Sequence, residues 1–241
     1  MDFTYEAYIA MLKKLKDNGY HVVDYHNYKR YEKVAILRHD VDMSLEKAVE
    51  MAYLEKKYGV KSTYYILISS EFYNIHSKRA IMCIKEIMKC GHSIGLHFDE
   101  ERYSFSGNLI ECMEKELSIL ELGIGEPVKS LSMHRPSSKT LESDYVIKDG
   151  TVVNSYSKEF FSNFKYVSDS RKHWREDVIS IIESSEYKRL HILTHPIWYE
   201  NEAKAMGDQL KRFCKQAEKE RYDALRDNIR DLEKIFIYEE V

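Results

Sequence analysis

Short apolar runs alternate with stretches of helical period along most of the chain, and this alternation limits the fold more than any other feature. Val34–Leu37, Lys61–Ile68, His92–His97, Val128–Met133 and Leu190–Leu193 read as strands, with shorter ones at Thr151–Ser155 and Tyr166–Val167. Residues 3–17 place Tyr5, Tyr8, Ile9, Leu12 and Leu15 on one helical face, which Gly19 closes. Ser44 can cap a second helix that Gly59 ends, with Ala48, Met51, Ala52 and Leu54 inward. Further helices are predicted near 77–90, 107–122 and 177–184, and a long charged helical region spans 202–236. Repeated strand–helix units imply a parallel sheet with helices outside it; spacing alone leaves open sheet and closed barrel as alternatives.

Composition narrows the functional classes. The 241 residues suit one large α/β domain, and 44% hydrophobic with 32% charged residues is an ordinary soluble balance. A net charge of -3 with no basic face gives no electrostatic reason to expect a nucleic-acid partner. The first twenty residues interleave charge with apolar positions, unlike a secretory signal, and no run approaches a membrane span. Cys83, Cys90, Cys112 and Cys214 lack metal-site spacing and read as thiols of the fold. These points lead to the expectation of a cytoplasmic protein.

Chemistry concentrates where strands end, which is where parallel α/β folds place their sites. In Arg38-His39-Asp40-Val41-Asp42 the two carboxylates face one way if the backbone stays extended, so one can bind a metal while the other acts as a base. The plainer alternative pairs Asp40 with Arg38 and uses Asp42 or Ser44 as a helix cap. In Gly91-His92-Ser93-Ile94-Gly95-Leu96-His97, the terminal His97 is the better ligand and His92 the better structural histidine. His134 and Arg135 leave the next strand just before Pro136. His195 follows the last strand, where an imidazole suits general-acid work near neutral pH.

Taken together, the runs RHDVD, GHSIGLHFD, HRPS and LTHPIW resemble the polysaccharide deacetylase superfamily (carbohydrate esterase family four, the NodB-homology fold) over residues 34–199, closest to its HDVD-motif branch. The resemblance implies a distorted (β/α)7 barrel in a single domain, residues 1–241, that removes acetyl from an N-acetylated sugar. It implies Asp40 as base, Asp42 and His97 as metal ligands, Arg135 as the residue that positions the base, and His195 as acid. The segment from Ser168 to Glu176 resembles a further motif, in which Asp169 would tune the acid and Trp174 would shape the pocket. Trp198 and Tyr199 offer further flat faces for a sugar ring, with core packing as their ordinary alternative.

One position departs from the family pattern: Glu101 stands where a second ligand histidine is usual. His134 is the favoured third ligand, with Glu101 and Asp99 as alternatives. The implied cofactor is a divalent metal, zinc first, with cobalt or nickel also compatible with an Asp/His shell. The implied partner is a saccharide, and the pattern of the C-terminal helix leaves a homodimer open. A hydrolase of a nonsugar amide or glycosidic bond is the rival enzyme. The rival outside catalysis is a saccharide-binding protein that has lost the full metal site.

Overall fold

The computed structural model describes residues 1–104 and 107–238. Its strands are β1 (His21–Val22), β2 (Val34–Val41), β3 (Thr63–Leu67), β4 (Ser93–Asp99), β5 (Ser130–His134), β6 (Val153–Asn154), β7 (Lys165–Ser168) and β8 (Arg189–Thr194). Its helices are α1 (Tyr5–Asp17), α2 (Leu45–Lys57), α3 (Lys78–Lys89), α4 (Leu109–Ile124), α5 (Ser138–Ser143), α6 (Lys158–Ser162), α7 (Val178–Ser184) and α8 (Met206–Asn228). The chain divides into two compact units, Met1–Asn201 and Glu202–Val241.

All ladders between these strands are parallel, in the spatial order β6-β5-β4-β3-β2-β8-β7. That is the cyclic sequence order of a seven-stranded barrel, opened between β6 and β7. The short β1 lies outside this path and pairs with the first two residues of β2. The expected (β/α)7 architecture is therefore the one observed.

Two layers of side chains follow from the two-residue period of β2. Ala35, Leu37 and Val41 join the large core between sheet and helices, while Val34 and Ile36 pack inside with Tyr25, Tyr65, Phe160 and Phe164. Farther along the inner face stand Arg38 and Asp40. The strand is longer than its apolar run predicts, because Arg38, His39 and Asp40 are all buried with polar partners. Gly95 on β4 lets the interior close: a Cβ there would lie 2.3 Å from the Tyr65 ring.

The helices begin as expected. Thr4, Ser44, Ser77 and Asn108 each accept a hydrogen bond from a first-turn backbone N–H. Beyond Asn201, the expected helix over 202–236 is shorter, since α8 ends at Asn228 and Asp231 takes a left-handed conformation (φ 58). Tyr222 packs within this unit against the rings of Phe236 and Tyr238. Of the apolar residues in this region, Ala217, Leu225 and Ile229 are exposed. Among the described residues no helix is long and apolar enough to cross a membrane.

Candidate metal centre

Extended backbone carries Asp40 and Asp42 to the same face of the sheet at the carboxyl end of β2. The loop after β3 holds this end in place. The Tyr73 hydroxyl donates to the Val41 carbonyl at 2.5 Å, and Ser70 Oγ donates to the Asp42 carbonyl at 2.8 Å. Register places His97 beside Ser132 and Asp99 beside His134, so the inward side chains at the ends of β4 and β5 meet those of β2.

Three of them form a tight triangle. Asp42 Oδ1 lies 3.2 Å from His97 Nε2 and 3.5 Å from His134 Nδ1, and the two imidazole nitrogens are 3.1 Å apart. Among the described residues, Asp42, His97 and His134 make the one group of three that could hold a metal ion. Asp42 Oδ1 is buried with no hydrogen-bond partner of good geometry, so the protein alone leaves this oxygen unsatisfied. A tetrahedral shell with ligands about 2.0–2.1 Å from its cation has them about 3.3 Å apart. The triangle therefore fits a small divalent cation. Glu101 is exposed, and Asp99 is turned to its own loop, where it accepts from the Glu101 backbone N–H at 3.1 Å.

His97 is oriented from behind: its Nδ1 pairs with Ser132 Oγ at 3.1 Å, which leaves Nε2 for the triangle. Asp40 stands 3.6 Å from His97 Nε2 without joining the triangle. Burial opposes ionisation of Asp40, but the charges of Arg38, His97 and His195 outweigh it and hold the carboxyl below its ordinary range. Asp42 is held well below that range, against burial, by His134 and His97.

The fourth strand end supplies His195, whose Nε2 is 3.9 Å from Asp42 Oδ2. Its Nδ1 bonds Asp169 Oδ1 at 2.6 Å. Asp169 is fully buried and also accepts from the His195 backbone N–H at 3.1 Å and from the Tyr199 hydroxyl at 3.0 Å. Burial alone would lower the pKa of His195, yet the Asp169 charge and hydrogen bond, with Asp42 and Asp40 behind them, carry it up to about 9. Because the folded value lies above the ordinary one, proton binding stabilises the fold fully below about pH 6.5, and this contribution is lost as pH rises through about 9. Metal-free protein should accordingly lose about 3 kcal/mol of stability over that window, read from urea midpoints. Asp169→Asn should flatten the profile, and equal profiles for both proteins would refute the coupling.

The structure places several of the expected site residues away from the triangle. The guanidinium on Asp40 belongs to Arg38, whose Nη2 lies 2.9 and 2.7 Å from the two carboxylate oxygens. Arg135 is exposed, at a left-handed position (φ 49) where the chain leaves β5, and makes no ion pair among the described residues. The pairing of Arg38 with Asp40, weighed as the plainer reading of that run, thus coexists with the site. Tyr199 is fully buried with its hydroxyl on Asp169, so it presents no face to a ligand. Trp174 is buried in the main core, and Trp198 is half-buried against it.

Ser132, Ser155, Ser70 and Tyr73 escaped the sequence reading. Ser132 had a signal, since it shares a strand face with His134 two residues on. For the other three, no spacing in the sequence marks them.

No family model matches the chain, and no curated protein matches it. Solved structures do. A polysaccharide deacetylase from Bacillus cereus is 18% identical with a TM-score of 0.49, over 73% of this chain and 93% of that one. A peptidoglycan deacetylase from Bdellovibrio bacteriovorus is 17% identical with a TM-score of 0.48, over 83% and 53% of the two chains. The catalytic domain of a peptidoglycan N-acetylglucosamine deacetylase from Eubacterium rectale is 17% identical with a TM-score of 0.46, over 83% and 88%. Likeness at this level carries no argument of its own; fold and chemistry alike rest on the strands and side chains of this chain.

Proposed function

We propose that this protein is a divalent-metal-dependent hydrolase that removes acetyl groups from an N-acetylated saccharide. The observation that carries the proposal is the meeting of Asp42, His97 and His134 in a triangle flanked by a buried carboxylate and an anchored imidazole. Asp42, His97 and His134 would hold the cation, with zinc favoured and cobalt or nickel also suited to this donor set. When bound, such a cation supplies Lewis-acid polarisation of the acetyl carbonyl and makes water more acidic.

The remaining steps belong to side chains. Asp40, kept ionised, accepts the proton of the attacking water. His195, with Nδ1 tied to Asp169, presents Nε2 and donates its proton to the departing amine. The pKa near 9 keeps that proton in place at neutral pH in the metal-free protein. Trp198, half-buried beside this strand end, is suited to lie against a sugar ring.

The test is release of free amine and acetate from N-acetylglucosamine oligosaccharides by zinc-loaded protein. Release should stop with a chelator and return when zinc is restored. Zinc-loaded, folded protein that releases no amine from any N-acetylated saccharide would refute the proposal.

A further inference from the structure

We infer that Arg38 is the positioning residue for Asp40, the work that family resemblance would give to Arg135. The inference rests on the proposed hydrolase reading for what Asp40 does, and on geometry for what Arg38 does.

Arg38 is a fully buried arginine on the inner face of β2, two residues before the carboxylate it serves. One terminal nitrogen is shared between both Asp40 oxygens and Ser132 Oγ, the last at 2.7 Å. The other donates to Ser155 Oγ at 2.9 Å. The guanidinium carbon lies 5.1 Å from the centre of the Tyr65 ring and 4.9 Å from that of Tyr156. A planar cation lying against two rings and tied at both terminal nitrogens has little freedom to turn.

Three consequences follow from this arrangement. A buried carboxylate needs a close counter-charge, and Arg38 supplies the nearest one, 2.7 Å from Asp40 Oδ2 against 3.6 Å for His97. Ser132 accepts from Arg38 and also pairs with His97 Nδ1, so one hydroxyl links the residue that fixes the base to one of the three candidate ligands. The strand itself makes the assignment specific. Residues two apart on β2 share a face, so the arginine needs no loop to reach its partner, whereas Arg135 sits beyond a strand end on exposed backbone. Lysine at position 38 could offer one point charge but could not hold Ser155 and Asp40 together from a plane.

The experiment compares zinc-loaded wild type, Arg38→Ala, Arg38→Lys and Arg135→Ala in amine release, with and without added guanidinium. Arg38→Ala should lose at least about 10²-fold in kcat with KM changed less than about threefold, as for a displaced catalytic group. Guanidinium should return roughly tenfold of that loss to Arg38→Ala and none to Arg38→Lys, whose side chain still fills the slot. Arg135→Ala should lose at least about ten times less than Arg38→Ala. A folded Arg38→Ala that keeps its rate or is not rescued, or an equal loss in Arg135→Ala, overturns the assignment.

Melting temperatures of Arg38→Met, Asp40→Asn and the double variant decide the pairing even if wild type turns over no saccharide. Should wild type be inactive, the hydrolase reading fails on that result alone. The double variant should melt at least about 5 °C above Arg38→Met, because removing the carboxylate relieves its unpaired charge. Simple additivity of the two single variants overturns the pairing.

Discussion

Asp40→Asn is expected to lower kcat for amine release by about 10²- to 10⁴-fold, the usual worth of a placed general base. The amide keeps the size of the side chain and can still accept from Arg38 through its oxygen. What it loses is the ability to take a proton from water. Asp40 lies 3.6 Å from His97 Nε2 but is not one of the three converging ligand atoms, so cation affinity should change far less than kcat. Steady-state rates and a zinc titration on the same preparation separate the two effects. A rate within about threefold of wild type would remove Asp40 from the role of base.

The second large effect concerns the fold behind the site. Glu55 on α2 is fully buried and accepts four hydrogen bonds: Tyr8 at 2.7 Å, His39 at 3.0 Å, Ser62 at 2.6 Å and Tyr64 at 2.7 Å. These donors come from α1, β2, β3 and the residue before β3. Through the other nitrogen of His39, which meets Thr194 Oγ1 at 2.6 Å, the network reaches β8 next to His195. Burial opposes the charge of Glu55, but His39 and His92 together with Ser62 hold its pKa at about 2.

Glu55→Leu fills the volume and strands every donor, so it should cost about 3–5 kcal/mol in denaturant unfolding. Glu55→Gln keeps acceptor capacity on one oxygen and should cost less. Equal stability of Glu55→Leu and wild type would show the network to be energetically idle.

Sequence and structure agree best where periodicity is strict. The strands at Val34, Lys61, His92, Val128 and Leu190, and the helices beginning at Ser44 and Ser77, are visible because apolar spacing and caps speak together. On β4 the two-residue period puts Gly95 and His97 on the face opposite Ile94 and Leu96, and His92, expected to be structural, is hydrogen-bonded between Ser62 and Ala52. The short α5, α6 and β1 left no such signal, since two to six residues carry too little period.

Glu55 was legible in principle. It stands seven residues after Ala48, on the stripe of Ala48, Met51 and Ala52, yet a glutamate in a charged helix is ordinarily solvated. Arg38 shows the converse. Its pairing with Asp40 was readable, but its relation to Ser132 and Ser155 depends on barrel closure, which brings residues 94 and 117 positions away to one point.

The most direct measurement is a calorimetric titration of zinc into chelator-stripped protein, repeated with Asp42→Ala, His97→Ala and His134→Ala. One ion per chain, with affinity falling at least about tenfold in each variant, is the predicted result. Wild type that takes up no zinc, or variants that bind it as tightly as wild type, would contradict a cation held by these three side chains.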